Sequence, residues 1–218
     1  MSTETTFRIC QFAILFGSII LHEVSHGWSA LALGDDTAKR AGRLSLNPIV
    51  HIDPIGTVLL PAILIITHSG FLFGWAKPVP VNVSELRDPR NGAVITGLAG
   101  PAMNLVLVAI AWVCLKGGHP NPIIDYWQFS LLFYFGLINL WLAMFNLLPV
   151  PPLDGSSVVE RFLPRRWWGP YLSIRPYTLI VVMALVFISA RSGATNSVFN
   201  SIETWWIRVT GYGLAFGL

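Results

Sequence analysis

Long apolar runs separated by polar loops form the dominant pattern along this chain. A run of about 20 apolar residues is long enough to form a helix that crosses a bilayer. The pattern therefore predicts an α-helical multi-pass membrane protein with the lipid bilayer as its surroundings. Its apolar stretches are 7–33, 55–73, 92–115, 127–148 and 176–190.

The composition supports this class. Hydrophobic residues make up 54% of the chain and charged residues only 11%, whereas a soluble domain typically has about 25% charged residues. The formal net charge of +3 gives no reason to expect a nucleic-acid partner. Cys10 and Cys114 are far apart in apolar segments, so we expect them to be packing residues.

Stretch 55–73 differs from the others because only 56–67 is continuously apolar, with Pro61 near its middle. A run of about 10–14 apolar residues is more often buried or re-entrant than membrane-spanning, which predicts a re-entrant segment. The next segment, GWAKPVPVNV at 74–83, is interrupted by proline and has a strand-like pattern. Such backbone at membrane depth must be shielded by protein, so we expect a β-like piece rather than a lipid-facing helix.

The distribution of Lys and Arg favours the re-entrant arrangement. If 55–73 returns to its own side, ten basic residues share one side and four lie on the other, whereas a spanning 55–73 gives six against eight. Cytoplasmic loops are rich in Lys and Arg, so we expect the ten-residue side to be cytosolic, the N-terminus non-cytosolic, and the membrane to be the plasma membrane. The ten residues are Lys39, Arg40, Arg43, Lys77, Arg87, Arg90, Arg161, Arg165, Arg166 and Arg175, and the four are Arg8, Lys116, Arg191 and Arg208.

The first apolar stretch contains the sequence His-Glu-Val-Ser-His at 22–26. A charged group at the centre of a spanning helix costs about 2.5–3.5 kcal/mol on insertion scales, so ionisable residues there are usually functional. His22 and His26 are one helical turn apart on one face, and both imidazoles can bind a single Zn²⁺. Glu23 then lies beside the metal, where it can take a proton from water.

A catalytic zinc site normally has three protein ligands. The best candidate for the third is Asp154, in the Pro-rich turn NLLPVPPLDG at 146–155. Asp154 can reach His22 only if the first and fourth stretches end on the same side, which again requires 55–73 not to cross. Because Asp-Gly is also a common turn pair, a purely structural turn is the alternative.

Three elements in this order resemble the site-2 protease family of intramembrane zinc metalloproteases. They are HEVSH, a Gly-x-x-x-Asn element that ends at Asn104, and NLLPVPPLDG, and they cover 7 to about 160. The chain resembles a minimal form of that family, without a PDZ or CBS domain.

The resemblance implies His22, His26 and Asp154 as ligands of one zinc per chain, with Glu23 as the catalytic acid and base. It also implies a transmembrane protein substrate and an active site below the cytosolic membrane surface. Finally, it implies that 74–83 is a short membrane-embedded β element that pairs with the extended substrate. The expected organisation is a disordered tail, an intramembrane metalloprotease core and one or two C-terminal membrane helices. These regions are 1–6, 7–160 and 161–218, and the three catalytic helices of the core are at about 7–33, 92–115 and 127–148.

Several roles stay open at this point. Asn104 is either an interhelical hydrogen-bonding residue or a donor to the developing oxyanion, and Asn146 either caps its helix or contacts substrate. His51 is a surface residue, a partner of a site residue or part of a groove. The competing functions are a non-proteolytic metal-binding protein or pseudoprotease scaffold, and a zinc hydrolase that acts on a lipid or small amide. The sequence does not predict the oligomeric state.

Overall fold

The computed structural model describes residues 3–67, 74–117, 126–174, 176–178, 181 and 194–211. Among these residues the regular structure is helical and no strand is present. The helices are α1 (Thr3–Ala32), α2 (Thr37–Arg40), α3 (Leu60–Ile66), α4 (Pro89–Gly117), α5 (Tyr126–Asn146), α6 (Ser156–Phe162), α7 (Arg165–Leu172) and α8 (Ala194–Thr210).

Three of these helices, α1, α4 and α5, are long and apolar enough to cross a membrane. Their candidate spans are Thr5–Ala32, Pro89–Lys116 and Trp127–Asn146. The predicted three-helix core is therefore present in a helical membrane protein. The apolar helical segment Pro54–Ile66, which ends with α3, is shorter than these three.

Polar contacts fix the relative direction of the three long helices. On α4, Thr96 contacts His26 and Asn104 contacts His22, so α4 runs antiparallel to α1. On α5, Asn139 lies level with Ser18 of α1. The chain then continues past the end of α5 to Asp154, beside His26. Helices α1 and α5 therefore end on the same side.

The N-terminal boundary differs from the prediction. A disordered tail was expected over 1–6, but α1 begins at Thr3, so residues 3–6 belong to the helix. The physical reason is that each residue added to an existing helix costs far less than starting a new one. Residues 1 and 2 lie outside the described residues.

The 74–82 segment has no regular secondary structure. Individual hydrogen bonds hold it in place: the Trp75 amide donates to the Gly56 carbonyl at 3.2 Å, and the Lys77 amide donates to the His51 carbonyl at 2.9 Å. The predicted β element is thus not part of a sheet among the described residues. Positions 68–73 of the predicted re-entrant segment lie outside them.

The C-terminal helix α8 packs against α5 through Trp206. The Trp206 side chain is fully buried, and its Nε1 donates to the Phe133 carbonyl at 3.2 Å. Gly136 leaves the space for this indole, since a Cβ there would overlap the ring. Apart from 176–178 and 181, the predicted apolar stretch 176–190 lies outside the described residues.

Candidate metal centre

His22 and His26, inside α1, come together with Asp154, which lies in the turn after α5. The two imidazole Nε2 atoms are 3.1 Å apart. Asp154 Oδ2 is 3.1 Å from Nε2 of His22, and Asp154 Oδ1 is 3.4 Å from Nε2 of His26. The structure thus brings together the three residues that the sequence predicted as a ligand set.

These separations suit a tetrahedral zinc. Bonds of about 2.0–2.2 Å to nitrogen and oxygen place neighbouring ligand atoms of a tetrahedron about 3.3–3.5 Å apart. Two of the three separations are shorter than this by only a few tenths of an ångström. In addition, Asp154 Oδ2 is buried and has no hydrogen-bond donor among the described residues. A carboxylate oxygen in that state fits a metal ligand.

Both imidazoles are oriented through their other ring nitrogen. His26 Nδ1 is 2.7 Å from the Thr96 carbonyl, and His22 Nδ1 is 2.6 Å from Asn104 Oδ1. A carbonyl oxygen only accepts, so each Nδ1 carries the proton and donates. Each Nε2 therefore keeps its lone pair, which is the form that binds a metal.

Gly100 on α4 leaves open the space in front of the two histidines. A Cβ at this position would overlap His26 Nε2 and lie 2.6 Å from His22 Nε2. This glycine begins the Gly-x-x-x-Asn element, and it faces the Nε2 atoms of His22 and His26. A side chain at position 100 would therefore crowd both atoms.

The turn that carries Asp154 is closed tightly against the end of α5. The Gly155 amide donates to the Asn146 carbonyl at 2.7 Å. A Cβ at Gly155 would overlap the Leu147 carbonyl oxygen and lie 2.6 Å from the Leu148 oxygen. The Asp-Gly pair therefore forms a structural turn, and this turn also directs the Asp154 carboxylate toward the two histidines.

Glu23 is half-buried and is held by the 74–82 segment. Its Oε2 accepts a hydrogen bond from the Val79 amide at 2.9 Å. Glu23 directly follows His22 on α1. The Val79 amide therefore orients the carboxylate of a residue next to the cluster of His22, His26 and Asp154.

Two buried side chains fasten the 74–82 segment. Arg43 donates to the Lys77 and Pro78 carbonyls, and Asp35 accepts from the Asn82 amide at 2.6 Å. Burial raises the pKa of Asp35, but hydrogen bonds from Thr37 and Asn82 outweigh it and hold that pKa below its ordinary value. Asp35 is thus an ionised anchor that keeps the segment near Glu23.

The remaining sequence candidates lie as follows. Asn104 is fully buried and contacts His22 with its oxygen, while Asn146 donates from Nδ2 to the Leu142 carbonyl of its own helix at 2.9 Å. His51 is fully buried, so it is not a surface residue, and its Nε2 donates to the Ser45 carbonyl at 2.7 Å. Neither of these two side-chain hydrogen bonds reaches His22, His26 or Asp154.

Sequence reasoning missed Asn139, Thr96 and Val79. Asn139 had a usable signal: an amide in the middle of an apolar helix normally faces the bundle interior and finds a partner there. Thr96 and Val79 act through their main chains, and such contacts leave no mark on the residue type.

Comparison with known proteins agrees with this geometry. The model of peptidase family M50 matches residues 121–189, which include Asp154. YwhC of Bacillus subtilis, whose name describes a zinc metalloprotease, is 40% identical over 176 residues, which cover 78% of this chain and 77% of YwhC. The chain belongs to peptidase family M50. It is a zinc metalloprotease, as its resemblance to the site-2 protease family led us to expect.

More distant relatives carry similar names. Rip2 of Mycolicibacterium smegmatis is 29% identical over 204 residues, which cover 89% of this chain and 71% of Rip2. Zinc metalloprotease MJ0392 of Methanocaldococcus jannaschii is 23% identical over 170 residues, which cover 75% of this chain and 37% of MJ0392. No solved structure matches the chain.

Proposed function

We propose that this zinc metalloprotease is an intramembrane endopeptidase that cuts the transmembrane helix of another protein near the cytosolic side of the membrane. The observation that carries the proposal is the meeting of His22, His26 and Asp154 on helices long enough to cross a bilayer. At 1.5 Å per residue, the two histidines lie about 9–15 Å along α1 from its end at Ala32. Substrate bonds at that depth belong to membrane-embedded segments.

Three residues would hold the zinc in this proposal: His22 and His26 through Nε2, and Asp154 through its carboxylate. When bound there, zinc supplies a Lewis acid that activates water and polarises a peptide carbonyl. The protein supplies the orientation, since both Nδ1–H groups already have acceptors and the Asp154 turn is closed.

Glu23 is the proposed proton carrier. Its carboxylate takes a proton from the attacking water and passes it to the leaving amine. The Val79 amide, which donates to Oε2, leaves the other oxygen of the carboxylate free of this contact. That arrangement gives Glu23 one positioned oxygen and one for proton transfer.

In this proposal, the main chain of the 74–82 segment pairs with the backbone of the substrate. The amides of Trp75, Lys77 and Val79 are all used within the protein. Pro78 and Pro80 have no N–H, and the Lys77 and Pro78 carbonyls already accept from Arg43, so a paired substrate would contact the remaining main-chain groups of this segment. A substrate helix must unwind locally before its backbone can pair in this way.

We further propose that 55–73 is re-entrant and that the metal centre opens to the cytosol. The Arg87 amide donates to the Leu33 carbonyl at 2.9 Å, so the chain that leaves α1 returns to its end before α4 begins. This contact and the bias of basic residues both support a return to the same side. Plasma-membrane location is part of the same proposal.

The experiment compares wild type with Glu23→Gln against tagged single-span reporter proteins in membranes. One reporter set carries Gly or Asn-Pro near the cytosolic end of its spanning helix, and a matched set carries Leu there. Wild type should cut the first set faster, within the helix, and Glu23→Gln should keep its zinc but cut neither. Wild-type cleavage rates in Glu23→Gln would exclude this role of Glu23. Zinc binding without cleavage of any reporter would favour a non-proteolytic metal-binding protein.

A further inference from the structure

A chain of buried polar side chains runs through the middle of the helix bundle behind the metal centre. Ser18 Oγ is 2.9 Å from Asn139 Nδ2, Asn139 Oδ1 is 2.8 Å from Asn104 Nδ2, and Asn104 Oδ1 is 2.6 Å from His22 Nδ1. Ser18 and the two asparagines are at most 1% exposed. The chain links α1, α5 and α4 and ends on a metal-binding residue.

One main-chain carbonyl sets the direction of every bond in this chain. Asn139 Nδ2 is 2.8 Å from the Phe135 carbonyl, which can only accept, so the amide nitrogen must face it. Asn139 Oδ1 then points to Asn104, which must donate through Nδ2. Asn104 therefore turns its oxygen to His22, and His22 Nδ1 must carry the proton.

We propose that Asn139 is a positioning residue of the metal centre. Through Asn104 it holds His22 in the tautomer whose Nε2 lone pair faces His26 and Asp154, and it thereby raises the zinc affinity. The inference rests on the proposed role of His22 as a zinc ligand.

The second histidine provides an internal comparison. His26 Nδ1 donates to the main-chain carbonyl of Thr96, whose orientation is fixed by the helix. Asn104, in contrast, can present either its oxygen or its nitrogen to His22, and only the contact with Asn139 selects the oxygen. Loss of Asn139 should therefore affect His22 and leave the tautomer of His26 unchanged.

The variants separate hydrogen bonding from packing. Asn139→Leu has a similar volume but neither accepts nor donates, whereas Asn139→Asp can still accept from Asn104 in either protonation state. Leu140→Ala is the matched control, because Leu140 is buried on the same helix and packs in an apolar cluster. Melting curves of the detergent-purified variants report any general loss of stability.

Two measurements test the proposal. The zinc dissociation constant, measured against a chelating dye, should rise about 10- to 100-fold in Asn139→Leu, the usual effect of losing a residue that orients a metal ligand. It should change less than about threefold in Asn139→Asp and Leu140→Ala. Nitrogen-15 spectra of metal-free protein should show neutral His22 with its proton on Nδ1 in wild type, and a mixture of the Nδ1–H and Nε2–H tautomers in Asn139→Leu.

The tautomer measurement needs no bound metal, so it tests this inference even if His22 proves not to bind zinc. An unchanged His22 tautomer in Asn139→Leu would overturn the inference. Equal loss of zinc affinity in Asn139→Leu and Leu140→Ala would also overturn it, since packing alone would then explain the effect.

Discussion

Replacing Gly100 by alanine adds one methyl group at the point where α4 meets the imidazoles of His22 and His26. The new Cβ would lie 2.6 Å from His22 Nε2 and closer still to His26 Nε2, whereas Cβ contacts under 3.0 Å are essentially never seen and ordinary contacts begin at 3.4 Å. The His22 ring must therefore move by about 0.4–0.8 Å, and the His26 ring by more, and both shifts exceed the roughly 0.2 Å tolerance of a metal–ligand distance.

The imidazoles cannot move freely, because each Nδ1 is tied to α4 by a hydrogen bond. Overpacking of a tight interior costs about 1–3 kcal/mol. If this cost falls on the metal-bound state, the zinc affinity drops about 5- to 150-fold. The helix itself should not weaken, since Ala is favoured over Gly within a helix by up to about 1 kcal/mol.

The assay is zinc titration against a chelating dye, together with melting of the metal-free protein. Gly17→Ala is the matched control: it is the same substitution within α1, and its Cβ would meet nothing within 4 Å. We expect Gly100→Ala to lose zinc affinity and Gly17→Ala to keep it, while the metal-free melting temperatures show how much of the overpacking cost falls on the fold itself. Wild-type zinc affinity in Gly100→Ala would refute the proposed position of the ion.

Two further predictions concern the surroundings of the centre. Asp35 has a lowered pKa in the folded state, so its stabilising contribution is complete above the ordinary carboxyl pKa of about 3.9 and is lost as the pH falls through the lower folded value. The melting temperature of wild type should therefore fall more steeply below pH 4 than that of Asp35→Asn, and parallel curves would contradict this. Gly155→Ala should open the Asp154 turn and weaken zinc binding more than Gly169→Ala, whose Cβ would meet nothing within 4 Å; equal zinc affinities in a dye titration would contradict this.

The helical core was predictable because its signals are local. Helix periodicity places His22 and His26 on one face from their spacing alone. To predict that Asp154 lies near the histidines, we also had to infer that the first and fourth apolar stretches end on the same side. The described part of the chain agrees with that step, since Asp154 lies 3.1 Å from His22.

The orientation of buried amides was not predictable in the same way. The sequence left two roles open for Asn104, an interhelical hydrogen bond or a donor to the oxyanion. In the structure its side-chain oxygen contacts His22 and its side-chain nitrogen donates to Asn139. Asn104 is fully buried, so its side chain cannot contact substrate in this conformation. Which atom of an amide faces which partner depends on three helices at once, and no local pattern encodes it.

Main-chain contacts between distant segments also could not be predicted from the sequence. Val79 is 56 residues from Glu23, yet its amide positions that carboxylate. The strand-like pattern of 74–82 did predict an extended path, but whether a sheet forms depends on a neighbouring strand. Here Asp35 and Arg43 hold the segment instead.

The most direct test of the central claim is the zinc content of detergent-purified wild type and Asp154→Ala. Asp36→Ala serves as the control, because Asp36 is a partly exposed acid that pairs with Arg40 outside the cluster. We expect one zinc per chain in wild type and in Asp36→Ala, and a clear loss of zinc in Asp154→Ala. Equal zinc in all three proteins, or none in wild type, would contradict the three-ligand centre.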